Sequence, residues 1–136
     1  MSGLVLDCSV AVAWCFEDEA APETDAILER VRDEGALVPA LWHLELGNVL
    51  IGAERRQRLS AVETVTMLEL IGALPIATDD EHPDTILPQV LTLARAEGLT
   101  AYDAAYLELA MRKGLPLATK DRALSAAARR CGVLCI

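Results

Sequence analysis

Several things that would fix a protein's class early are missing from this chain. No apolar run approaches the ~20 residues of a membrane-spanning helix, which argues against a helical membrane protein. The opening stretch, MSGLVLDCSV, has no basic region ahead of its apolar run and meets an acid at once. It makes a poor export signal, and the protein reads as cytoplasmic. Cysteines are few and badly spaced for zinc. Among Cys8, Cys15, Cys131 and Cys135 only the last two approach a ligand pair, and they sit in the apolar segment CGVLCI. Without export a disulfide framework is not expected, so these are read as buried free thiols. Basic residues are scarce, 12 against 21 acids, for a formal charge of -9. Taken alone, that argues against broad electrostatic binding to nucleic acid. No internal repeat and no low-complexity linker interrupts the chain.

What is present is apolar material. The 136 residues are 53% hydrophobic, enough for one domain over 1–136 with one substantial core. LVLD at 4–7 reads as a buried strand ending in an acid. A helix follows over 9–16 with Ser9 as candidate N-cap. An amphipathic helix over 22–34 opens on Pro22 and stops at Gly35. ALVPA is extended. Helix 41–56 turns basic at its end, as the helix dipole favours. Ser60 and Glu63 have capping-box spacing for a helix over 60–73. LPIA at 74–77 is a short strand and TDDEHPD a loop. Helices follow near 84–97 and over 100–113, ended by Gly98 and Gly114. LPLAT is a strand, DRALSAAARR a helix and GVLCI a last strand. Strands alternating with helices predict an α/β protein around a mostly parallel sheet.

Four acids stand where a solvated surface is not expected. Asp7 and Asp121 each follow an apolar strand, and in parallel sheets sites form beyond strand carboxyl ends. Each is equally explained as a turn or helix N-cap residue. Glu45 is the only acid between Gly35 and Gly52. It shares a helical stripe with Leu41, Asn48, Val49 and Gly52. Leu44, Leu46 and Val49 leave that helix little clean polar face, which disfavours an exposed glutamate. Asp103 lies under Leu107 and Ala110 on one stripe. It also has T-x-x-D spacing with Thr100, so it reads either as a cap partner or as a ligand. Four such acids brought together would repel by roughly 4 kcal/mol per pair at 4 Å and an effective dielectric near 20. Shared protons, basic partners or a divalent ion must offset that. His43, two residues from Glu45, should point elsewhere. All-oxygen donors favour Mg²⁺ or Mn²⁺ over zinc.

Together LVLDCSV, HLELGNVL, LTAYDAAYLELA and LATKDRAL resemble PIN-domain ribonucleases, most closely VapC-type toxins of toxin–antitoxin pairs. The resemblance runs over essentially the whole chain. It implies a three-layer α/β/α sandwich that cuts RNA with Mg²⁺ or Mn²⁺. It further implies that Asp7, Glu45 and Asp103 are the core metal ligands and catalytic acids, with Asp121 a fourth. Ser9 and Thr119 match hydroxyl positions beside the first and last acids, and Asn48 a polar position supporting Glu45. A cognate VapB-type antitoxin and a homodimer are implied as well, with the apolar faces around 60–73 as the candidate surface. Lys120 and Arg122, or the cluster Arg55, Arg56 and Arg58, are candidate RNA contacts.

Two other readings remain. A phosphatase of the haloacid dehalogenase type also places an Asp after an apolar strand, but needs a second Asp where Ser9 stands. A non-enzymatic protein-binding module would use the acids as helix caps and as contacts to a basic partner. Metal titration separates it from a nuclease.

Overall fold

A computed structural model describes residues 3–136; Met1 and Ser2, part of the start read above for an export signal, lie outside the described residues. Four parallel strands form the sheet: β1 (Leu4–Leu6), β2 (Ala36–Val38), β3 (Ile76–Thr78) and β4 (Leu117–Ala118). Their order is β3-β2-β1-β4. The helices are α1 (Cys8–Cys15), α2 (Pro22–Glu34), α3 (Leu41–Arg55), α4 (Ala61–Gly72), α5 (Pro83–Glu97), α6 (Ala101–Lys113) and α7 (Arg122–Arg130), with a short 3₁₀ turn at Glu17–Glu19.

This order makes the layers. The chain steps one way across the sheet from β1 to β2 to β3, then returns past β1 to β4. Parallel crossovers are right-handed, so reversing direction moves the connecting helices to the other face. Helices α1, α2 and α3 pack among themselves, and α6 packs against α5 and α7. The result is a three-layer α/β/α sandwich, as the sequence predicts. Between the layers, all three residues of β1 are fully buried, as are Val38, Tyr106, Leu107, Leu117 and Leu124. Among the described residues no helix is long and apolar enough to cross a membrane.

Local signals are used much as their chemistry suggests. Ser60 and Glu63 make both bonds of the capping box. Gly98 and Gly114 close α5 and α6 in the left-handed conformation, where a side chain would be strained. Three expectations need correction. Residues 132–136 form no strand; only a bridge joins Cys135 to Leu117. Ser9 is not the N-cap of α1, because Asp7 holds that position. The buried stripe of α3 is Trp42, Leu46, Leu50 and Ala53, while Leu44 is 81% exposed. The apolar phase of α3 is therefore shifted by one residue, which leaves Glu45 on the margin of the buried stripe.

Candidate active site

A sheet opens a crevice where neighbouring strands send their chains in opposite directions. Here that point lies between β1 and β4. The residues just beyond these strands are Asp7 and Thr119–Asp121, and an open pocket of about 540 Å³ lies there. Asp7, Ser9, Glu45, Asn48, Asp103, Lys120 and Asp121 line it, with Cys8, Val12, Glu19 and Val49. The fold thus brings the four acids to one cavity from four separate segments. Thr119 reaches it through Asp7. Arg122 is exposed in the first turn of α7 and does not line it.

Asp7 is buried, and its carboxylate does not cap α1. Its Oδ2 accepts the Ser9 hydroxyl at 2.8 Å and the Thr119 hydroxyl at 2.6 Å. Each hydroxyl is held in turn by a backbone donor. The Lys120 N–H donates to Ser9 Oγ at 2.9 Å, and the Asp121 N–H to Thr119 Oγ1 at 3.0 Å. Such chains orient a hydroxyl so that its proton faces the acid. A second Asp at position 9, as the phosphatase reading needs, would remove one of these donors.

Asp121 serves two roles. Its Oδ1 accepts the Leu124 N–H at 3.0 Å and caps α7, while the residue also lines the pocket. Asp103 divides differently. Its backbone N–H donates to the Thr100 hydroxyl at 3.1 Å, so Thr100 is the cap. Among the described residues no bond returns from Thr100 to the Asp103 carboxylate, in contrast to the reciprocal box at Ser60 and Glu63. Glu45 accepts a hydrogen bond from the hydroxyl of fully buried Tyr106. Asn48 lines the pocket near it, but among the described hydrogen bonds none joins the two. His43 faces away and bonds Thr78 at 2.8 Å.

Tyr106 and Glu19 were missed by sequence reasoning. Tyr106 is one turn beyond Asp103 in the same helix, a spacing that offered a clue. Glu19 is held by Arg58, whose guanidinium lies 3.8 Å from it, bonds Asp18 at 3.0 Å and stacks 4.4 Å above Phe16. Arg58 is therefore engaged with the pocket rim rather than free as an RNA contact.

The charge in the pocket is lopsided: five acids line it against one lysine. Burial pushes the Glu45 carboxyl above its ordinary range, and Asp7 and Asp103 add to the rise against the opposing Tyr106 bond. Burial likewise raises Asp103, with Asp121 and Asp7 adding to it. The Cys8 thiol is pushed up to about 12 by burial, then by Glu45 and Asp7. A thiol so placed is a poor thiolate, which disfavours soft metals. The carboxylates form an all-oxygen donor set that fits a hard dication. They are not clamped together: among the described residues, no three Asp, Glu, His or Cys side chains are gathered closely enough to hold an ion as they stand.

Comparison with known proteins places this geometry in context. The PIN domain profile matches residues 4–130. Ribonuclease VapC3 of Pyrobaculum aerophilum is 30% identical over 122 residues, covering 90% of this chain and 92% of the relative. The crystal structure of PAE2754 from Pyrobaculum aerophilum superposes with a TM-score of 0.74 at 25% identity, covering 99% of this chain and 89% of that one. FitAcB from Neisseria gonorrhoeae superposes with a TM-score of 0.65 at 21% identity, covering 98% and 96%, a likeness of fold.

Proposed function

The chain belongs to the PIN-domain family, and from that premise we propose that it is a metal-dependent endoribonuclease, the toxin of a toxin–antitoxin pair. The observation that carries this reading is the convergence of Asp7, Glu45, Asp103 and Asp121 on one pocket at the sheet's switch point. The 30% identity to a protein named as a ribonuclease supplies the substrate class.

In this reading Asp7, Glu45 and Asp103 hold Mg²⁺ or Mn²⁺, with Asp121 assisting. Once bound, such an ion makes water a nucleophile near neutral pH and stabilises charge on a phosphodiester. Ser9 and Thr119 fix the rotation of the Asp7 carboxylate. Asn48 supports the Glu45 side of the pocket. Lys120 meets an RNA phosphate at the lip, and Arg122 extends that contact outward. An antitoxin of the VapB type inhibits the protein by laying a basic or amphipathic segment over the acidic pocket. Val62, Val65, Leu68 and Leu70 of α4 are exposed and are assigned to protein pairing, with the antitoxin or in a homodimer.

The test is incubation of partner-free protein with total cellular RNA, with and without Mg²⁺ or Mn²⁺. Cleavage should require the ion and stop with EDTA. Robust cleavage in EDTA would remove the metal from the mechanism. Failure to bind Mn²⁺ at all would favour the non-enzymatic binding module.

A further inference from the structure

Each of three pocket carboxylates has one oxygen already engaged by the protein. Asp7 uses Oδ2 for two hydroxyls, Asp121 uses Oδ1 for the Leu124 N–H, and Glu45 uses Oε1 for Tyr106. Among the described residues no donor reaches the second oxygen of any of the three. In each acid one oxygen carries the protein's hydrogen bonds and the other carries none of those described. The Tyr106 contact differs from the others in origin. It spans 61 positions and joins α6, which carries Asp103, to α3, which carries Glu45. The phenol is fully buried, so its hydroxyl gives up water to make this bond, and losing the bond would leave Glu45 free to rotate.

Counting free oxygens distinguishes ions. Mg²⁺ and Mn²⁺ suit octahedral sites built from single oxygens and water. Ca²⁺ is larger, takes about 6–8 oxygens and commonly draws both oxygens of a carboxylate. We infer that Tyr106 is a positioning residue that holds Glu45 through one oxygen so that the other meets the ion singly, and so selects a small octahedral dication over Ca²⁺. This rests on reading the pocket as a dication site. The selecting group itself touches no ion.

The test is calorimetric titration of wild type and Tyr106→Phe with Mn²⁺ and, separately, with Ca²⁺. Removing a group that orients a ligand costs about 10–100-fold in metal affinity. Mn²⁺ affinity should fall by that factor while Ca²⁺ affinity holds or rises, so the Mn²⁺/Ca²⁺ ratio drops by about tenfold or more. An unchanged ratio overturns the inference, including the case where both affinities fall together through general damage. Wild type that binds neither ion overturns the reading of the pocket and this inference with it. If Tyr106→Phe does not fold, Tyr102→Phe decides. The chain has two tyrosines, and Tyr102 is 65% exposed, so that variant leaves Tyr106 as the sole phenol. Its ultraviolet resonance Raman bands should show donation to a carboxylate and shift when Mn²⁺ is added. Bands unmoved by Mn²⁺ overturn the inference.

Discussion

At Asp103 two demands on one residue fall on different atoms. Its N–H satisfies the helix through Thr100, and its half-buried carboxylate is left to the pocket. Asp103→Asn keeps the backbone donor and so keeps the cap. It also removes one of the charges that raise Glu45. The variant should be as stable as wild type without metal, or more so. Wild type should gain about 2.7 kcal/mol from Mn²⁺ at 100 times its dissociation constant, and the variant clearly less. Paired thermal melts with and without Mn²⁺ check this, and equal shifts would remove Asp103 from the ion's site. Much at this scale was legible in the sequence, because a cap and its partner lie three residues apart. Tyr106 and Arg58 were not. Their carboxylate partners are 61 and 40 positions away, and no local pattern encodes a contact made only by folding.

Helices α4 and α6 are near equal in length and opposite in support. Seven residues of α6 are buried, from Ala104 to Ala110, and none of α4 is. Its Met67 and Ile71 only lean on the core. The capping box is thus a large share of what holds α4. Ser60→Ala should cost about 1 kcal/mol. Amide exchange should quicken across α4 while α6 keeps its protection. Exchange that quickened equally in α6 would show that the two helices open as one unit. Both helices were legible in the sequence, but this contrast was not. Sequence periodicity also misplaced the buried stripe of α3, since Leu44 has the hydropathy of a core residue and the exposure of a surface one. Periodicity locates an amphipathic face only when the polar side is unbroken, and α3 is apolar on most sides.

Over the whole molecule, acids pull stability in two directions as pH changes. Glu45 and Asp103 have raised folded values. Between the ordinary carboxylate range near 4 and those raised values, the folded state binds more protons, so stability rises as pH falls. Asp79 is the opposite case. The Arg112 guanidinium at 2.6 Å holds it below the ordinary range, so its contribution is present above that range and lost as pH falls through its folded value. Metal-free protein should therefore melt higher as pH is lowered from neutral toward the ordinary carboxylate range, then lower in stronger acid. The Mn²⁺-dependent shift should shrink over the first interval, because protons and metal compete for the same oxygens. A melting temperature that falls steadily from neutral pH would contradict the assignment of both raised acids.

The hydroxyl of Thr119 reaches back 112 positions to Asp7, and that distance also matters during synthesis. The ribosome makes Asp7 near the beginning and Thr119 near the end of this sequence. Throughout the interval β1 lacks β4 as a neighbour, and the Asp7 carboxylate lacks one of its two holders. Contacts this distant in sequence form late. A nascent chain, or one cut short before Leu117, carries Asp7, Glu45 and Asp103 without the wall that completes their pocket. Only when Thr119 has been made and β4 has joined the sheet does the Asp7 carboxylate gain its second holder and the pocket its last wall.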